Sequence, residues 1–201
     1  MKKTGLMLLF LSWILSGTEV FAQLLNSEEL TKKPVYTNLS TAIKNPEKVY
    51  RLSLKKQKLK KIPESVFMLT NLQELNISRN KIKEIPKEIA QLKNLEILDA
   101  SSNKIDTVYA EIGVLVNIKE LNLSQNFISY LPSSIGNLNK MVLLDLWKNY
   151  ISVFPPEISN LQKTLKVVDL RVNIIKDDEQ EEISNLLPET KIYFSVDCNC
   201  N

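Results

Sequence analysis

Histidine is absent from this 201-residue chain, glycine occurs only four times and cysteine only twice. Without an imidazole neither a Ser-His nor a Cys-His nucleophile can be assembled, and the commonest general base is missing. So few glycines leave no phosphate-cradling loop motif. The two cysteines, Cys198 and Cys200, lie at the extreme C-terminus with one residue between them. A bond across that gap is strained and no other cysteine exists to pair with either, so a disulfide framework does not hold the fold. An intermolecular disulfide or a soft-metal clip stays open for this tail, although two thiols without histidine make an incomplete zinc set; no metal or cofactor is expected. The formal charge of +3, with Lys and Glu interleaved along the chain, gives no reason to expect a nucleic-acid partner.

What is present is a repeat. Between Val49 and Asn173 one pattern recurs six times, most cleanly from Leu72 through Leu75, Ile77, Asn80, Ile82, Ile85-Pro86, Ile89 and Leu92 to Asn94. Its polar marker falls at Gln57, Asn80, Asn103, Asn126, Asn149 and Asn173, a step of 23 residues that lengthens to 24 at the last interval. A fixed period in this range means a solenoid. Alternation puts Leu75 and Ile77 on one face of a short strand and Glu74 and Asn76 on the other. One turn cannot bury its apolar face alone. Stacked turns make a continuous core from Leu52/Leu54, Leu75/Ile77, Leu98/Ala100, Leu121/Leu123, Leu144/Leu146 and Val168/Leu170. Ile62-Pro63, Ile85-Pro86, Leu131-Pro132 and Phe154-Pro155 turn the chain behind the strands, where a missing amide donor is tolerated. The asparagine column reads as structural, since a buried amide satisfies backbone groups of adjacent turns that no regular ladder reaches.

These residues resemble the leucine-rich repeats, and the Leu-Pro/Ile-Pro-x-x-Ile-x-x-Leu second half is similar to the 23-residue class of Ras-suppressor-type and secreted bacterial proteins. The resemblance implies an α/β, right-handed, curved solenoid with short parallel strands on the concave face and an irregular or short helical convex side. It also implies binding of other macromolecules along the concave face. Three departures stand out: Gln57 for Asn, Val108-Tyr109 for Leu-Pro, and Asp178 where the last repeat should be apolar.

The first residues follow a different logic. Lys2 and Lys3 precede an apolar run from Leu6 to Leu15, and Val20-Phe21-Ala22 places small residues where a signal peptidase reads. The expectation is a signal peptide over 1–22, a mature start at Gln23, and a chain that is secreted or held in the periplasm or outer envelope of a Gram-negative bacterium. The run is too short for a stable membrane span, and the alternative is an uncleaved amphipathic anchor. Asn38, Asn76 and Asn122 stand in Asn-x-Ser sites, which a bacterial export route leaves unused.

The expected organisation is a flexible segment over 23–35 and a single domain over 36–197, followed by the tail 198–201. Within the domain, 36–48 is the N-terminal cap, 49–176 the six repeats and 177–197 the C-terminal cap. Thr37 is the expected N-cap of a helix carrying Leu39, Ala42 and Ile43, with Pro46 as its stop. At the other end Asp178-Glu179-Gln180-Glu181 reads as a capping box for a helix burying Ile183, Leu186 and Leu187, with Ile192, Phe194 and Val196 as a closing strand.

Outward strand positions are where the repeat leaves identity free. One column runs Arg51, Glu74, Ile97, Glu120, Leu143, Val167 and another Lys55, Ser78, Ser101, Ser124, Trp147, Arg171, while the position after the marker runs Lys58, Lys81, Lys104, Phe127, Tyr150, Ile174. The front is basic and the rear apolar and aromatic. Ile97, Phe127, Leu143, Trp147, Tyr150 and Arg171 are therefore the candidate contacts for a protein or peptide ligand, in a contiguous patch. The bland alternative is that they pack against one another or against the C-terminal cap. A second function class uses Lys55, Lys56, Lys58, Arg79 and Lys81 to attract an anionic polysaccharide or other envelope polymer. A third is a structural spacer without a specific partner. Asp99, Asp145 and Asp169 share a polar strand column with Ser53, Asn76 and Asn122, which needs no reaction, and a monomeric, non-enzymatic interaction module is the overall expectation. Mass spectrometry of exported protein should find Gln23 at the N-terminus; an intact Met1 contradicts the leader.

Overall fold

A three-residue strand recurs once per turn, with Leu or Val buried at its centre and the residues on either side of it turned outward. The structure, a computed structural model, describes residues 24–195. In chain order it contains α1 (Ser27–Thr31), β1 (Val35–Tyr36), α2 (Leu39–Ala42), β2 (Arg51–Ser53), β3 (Glu74–Asn76), β4 (Glu84–Ile85), β5 (Ile97–Asp99), β6 (Thr107–Val108), β7 (Glu120–Asn122), β8 (Leu143–Asp145), β9 (Val167–Asp169), α3 (Asp177–Leu186) and β10 (Lys191–Tyr193). Eight strands form one parallel sheet in the order β1-β2-β3-β5-β7-β8-β9-β10. The register stacks Leu52, Leu75, Leu98, Leu121, Leu144 and Val168 in file. All six are buried, and at about 1.5–3 kcal/mol for each large side chain removed from water this file is a principal source of stability.

Behind the sheet the chain returns through short 3-10 turns at Glu64–Met68, Lys87–Gln91, Ala110–Val114, Ser133–Asn137 and Pro156–Leu161. Val66, Ile89, Ile112, Ile135 and Ile158 project from them and close the core. Pro63, Pro86, Pro132 and Pro155 each precede such a turn in extended conformation, which suits a residue without an amide donor. Where Val108-Tyr109 replaces Leu-Pro, Val108 pairs with Ile85 in a second, two-stranded sheet of β4 and β6. The Tyr109 N–H donates to the Ile85 carbonyl at 3.3 Å, a bond proline cannot make. The arcs stack closely at Gly136, where a Cβ would come within 2.2 Å of the Glu157 carbonyl oxygen.

The asparagines bridge consecutive turns. Asn126 Oδ1 accepts from the Ile105 N–H of the preceding turn at 3.0 Å, while its Nδ2 donates to Ala100 of that turn and to Leu123 of its own. Asn80, Asn103, Asn149 and Asn173 repeat the arrangement on Leu59, Ile82, Ile128 and Ile151. Gln57 does not join them: it is exposed and its Nε2 donates to the Thr37 carbonyl at 2.9 Å. One residue before each marker the backbone is left-handed, at Lys56, Arg79, Ser102, Gln125, Lys148 and Val172, with φ between 55° and 61°. None of these is glycine, so each costs about 1 kcal/mol, which the bonds of the next residue offset.

Both ends differ in detail from expectation. The segment expected to be a flexible lead-in carries α1, closed by a reciprocal box between Asn26 and Glu29, with Leu30 buried. Gln73 holds it from the repeat side, exchanging two hydrogen bonds of 2.9 and 3.0 Å with the Leu25 backbone. Val35–Tyr36 is already strand and pairs with β2. The cap of α2 is Asn38, which accepts from the Thr41 N–H, and the helix begins one residue later than expected, while the Thr37 carbonyl accepts from Gln57. Pro46 opens a 3-10 turn, Pro46–Lys48, where its fixed φ fits the first position. At the rear the box is shifted: the Glu179 carboxylate accepts from the Lys176 N–H at 2.7 Å and α3 starts at Asp177. Ile183 and Leu187 are buried and Ile192 and Phe194 pack on the core, while Val196, Cys198 and Cys200, like the leader 1–22, lie outside the described residues.

Asn126→Ala leaves the buried Ile105 N–H without its acceptor, while the Ala100 and Leu123 carbonyls keep the amides of Asn103 and Asn149, and it is expected to lower stability by about 1–3 kcal/mol. Gly136→Ala should cost at least as much through the arc-to-arc clash. Denaturant melts in which neither variant loses stability would contradict the stacking described.

Candidate partner-binding surface

The outward strand positions form three files fixed by the register. Arg51, Glu74, Ile97, Glu120, Leu143 and Val167 make the first, and Arg51 and Glu74 neutralise each other at 2.6 Å. Ser53, Asn76, Asp99, Asn122, Asp145 and Asp169 make the second. Here Asn76 donates to Asp99 at 2.9 Å, and each side chain from Asn76 on accepts from the N–H two residues ahead. Burial pushes the Asp145 carboxyl above its ordinary value; the Trp147 N–H opposes this and the neighbouring Asp169 carboxylate adds to it. The third file runs through Ser78, Ser101, Ser124, Trp147 and Arg171, and only its last two members are large.

The chain then turns away through the left-handed residue, and this turn makes an edge beside the strand face. On it lie Phe127 and Tyr150, with ring centroids 6.1 Å apart and planes inclined by 27°. With Ile174 they line an open groove of about 470 Å³ whose other walls include Ser102, Gln125, Lys148 and Val172.

The groove gathers only two of the six candidate contacts. Phe127 and Tyr150 share the edge groove. Leu143 and Trp147 are half-buried on the strand face and do not line it. Ile97 is separated from Leu143 by the charged Glu120. Arg171 is already engaged: its guanidinium forks onto Asp169, with the shortest bond 2.5 Å, and stacks over the Tyr193 ring at 5.4 Å. Alternation within a strand orders outward residues such as Leu143 but carries no information on a side chain beyond the left-handed turn. Sequence reasoning missed the groove walls Ser102, Gln125, Lys148 and Val172, whose signal was their constant place one residue before each marker. Tyr193 was missed because β10 lies outside the repeat. Lys55, Lys56, Lys58, Arg79 and Lys81 are all exposed on the two front turns.

Residues 47–105 and 117–138 match leucine rich repeat family models. A solved leucine-rich-repeat protein of Leptospira interrogans is 32% identical over 81% of this chain, with a TM-score of 0.67. The chain is a leucine-rich-repeat protein. It is also similar to an internalin of Listeria monocytogenes, at 26% identity, 77% coverage and TM-score 0.67. The leucine-rich-repeat ectodomain of a plant membrane receptor kinase from Arabidopsis thaliana, solved in complex with Casparian strip integrity factor 2, gives 25%, 80% and 0.64. The chain spans 46, 44 and 20% of the lengths of these three proteins. No curated protein matches it. Leucine-rich-repeat domains are in general protein-interaction modules and typically not enzymes, and no described helix of this one is long and apolar enough to cross a membrane.

Because the Asp145 carboxyl titrates above its unfolded value, its contribution favours the fold at low pH and is lost as pH rises through the folded value. Asp145→Asn keeps the acceptor that Asn122 uses in the same file and should raise the melting temperature at pH 7, the gain shrinking as pH falls toward about 4. A less stable variant at pH 7 would contradict the assigned burial effect.

Proposed function

We propose that this chain is an exported, non-enzymatic module that holds a protein or peptide partner on its rear turns. The observation that carries the reading is the run of Phe127, Tyr150 and Ile174 on three consecutive turns, 48, 51 and 58% exposed at a position where the repeat demands nothing apolar. Clustered exposed apolar side chains mark interaction sites, and aromatic residues are the commonest anchors of interfaces. Leu143 and Trp147 extend the same turns toward the concave strand face. Export is supported by the Lys2-Lys3 leader, and bacterial proteins and a receptor ectodomain are among the similar structures.

One observation favours a second reading, capture of an anionic envelope polymer by the front turns. Among the described residues, Lys55, Lys56, Lys58, Arg79 and Lys81 take part in no ion pair, whereas Arg51, Lys61, Lys119 and Arg171 do. Unneutralised cations on adjacent turns attract polyanions, and that attraction weakens steeply between low and physiological salt.

Crosslinked pull-downs from envelope extracts with the full chain, the Phe127→Ala/Tyr150→Ala double variant and Trp147→Ala compare the surfaces. Loss of a defined partner in at least one variant is expected, with the melting temperature of the Phe127→Ala/Tyr150→Ala variant within a few degrees of the parent, since exposed substitutions change stability by about 0.5 kcal/mol or less. Undiminished capture by both variants at physiological salt would remove the protein-binding reading. Capture lost at physiological salt in every protein would favour the polyanion.

A further inference from the structure

The position after the asparagine marker is stacked turn upon turn as tightly as the sheet is. Lys81 donates its N–H to Leu59 at 2.7 Å, Lys104 to Ile82 at 2.9 Å, Phe127 to Ile105 at 2.7 Å, Tyr150 to Ile128 at 2.8 Å and Ile174 to Ile151 at 3.0 Å. The left-handed file beside it is bonded likewise, from Lys56 to Ser78, Arg79 to Ser101, Ser102 to Ser124, Gln125 to Trp147 and Lys148 to Arg171. Two side chains per turn are thus held in file along one edge, and the edge changes character halfway. Lys81 and Lys104, with Lys56 and Arg79 beside them, occupy the front, and Lys58, itself left-handed at φ 58°, extends it; Phe127, Tyr150 and Ile174 occupy the rear.

We propose that this edge is a single track for an extended peptide, acidic over Lys58, Lys81 and Lys104 and apolar over Phe127, Tyr150 and Ile174. The proposal rests on the protein-binding reading and names its ligand class and polarity. Charge complementarity fixes the front half. Among the described residues none of the five front cations pairs with a carboxylate. The rear half selects against a uniform polyanion, because its file holds no cation and its aromatic rings are desolvated favourably only by apolar groups. Lys148, the one cation among the groove walls, lies over the Trp147 ring at 6.0 Å. The backbone amides of the file are already bonded to the preceding turn, so the ligand is read by side chains and not by strand addition. At about 4.8 Å per turn the five steps from Lys58 to Ile174 span roughly 24 Å, the length of about seven extended residues.

A phage-displayed random dodecapeptide library selected on the full chain, with enriched peptides resynthesised and titrated by fluorescence anisotropy, tests this. The expected peptides carry acidic residues and, several positions away in a constant order, aromatic or aliphatic ones. Affinity should fall at least about tenfold in Tyr150→Ala and in Lys81→Glu, fall far less in Trp147→Ala, and fall when the peptide sequence is reversed. Peptides that ignore Tyr150→Ala and Lys81→Glu but are lost in Trp147→Ala overturn the track and leave protein binding by the strand face standing. Acidic peptides that need no apolar residue, ignore Tyr150→Ala and are displaced by dextran sulfate overturn it in favour of polyanion capture. Enrichment that depends on none of the three positions overturns both the track and the protein-binding reading. Circular dichroism melts of each variant separate lost binding from lost folding.

Discussion

One asparagine amide per turn, shared between its own turn and the one before, is the interaction on which this structure depends. The strands are only three residues long, so most of each turn's backbone lies outside any ladder of the main sheet. Asn103, Asn126 and Asn149 are buried, and each accepts one amide and donates to carbonyls of two different turns. A buried amide left without its acceptor costs about 1–3 kcal/mol, so the column enforces the stacking that also buries the leucine file. The residue before each of these asparagines is left-handed, and so is Lys56 before Gln57. The edge on which Phe127 and Tyr150 stand follows from that recurrent turn.

Inward and outward positions answer to different constraints. Leu75, Leu98, Leu121 and Leu144 have no freedom, since each fills the space between its neighbours. Gly136 is fixed by the approach of the Glu157 backbone. The strand face is partly self-satisfied, through the Arg51–Glu74 pair, the Asn76–Asp99 bond and the fork of Arg171 onto Asp169. The edge beyond it is not, which is why exposed rings and unneutralised cations accumulate there.

Much of this was legible in the sequence because the period is strict and the side-chain types are unambiguous. The leucine-rich-repeat fold, the leucine file and the asparagine bridges follow from spacing and from what an amide can bond. The six candidate contacts were not placed as well. Alternation orders outward residues along a strand, such as Leu143, but it stops at Lys148, where φ becomes positive without a glycine to announce it. Phe127 and Tyr150 consequently fell on another surface. Arg171, a candidate contact, forks onto Asp169 two residues before it and stacks on Tyr193, which belongs to a strand outside the repeat. Helix α1 was hidden by its shortness, five residues held by Gln73 from a turn far along the chain. Asn38, not Thr37, caps α2, since the helix begins at Leu39.

Amide hydrogen exchange on the full chain tests the central claim most directly. The N–H groups of Ile82, Ile105 and Ile128 find their acceptor in an asparagine side chain of the next turn, at 3.0, 3.0 and 3.1 Å. If the ladder holds the turns together, these amides exchange as slowly as those of Ile77 and Leu123, which bond to the backbone of the adjoining strand. Exchange at the rate of exposed loop amides, with Ile77 and Leu123 still protected, would show that the asparagines decorate the stack without holding it.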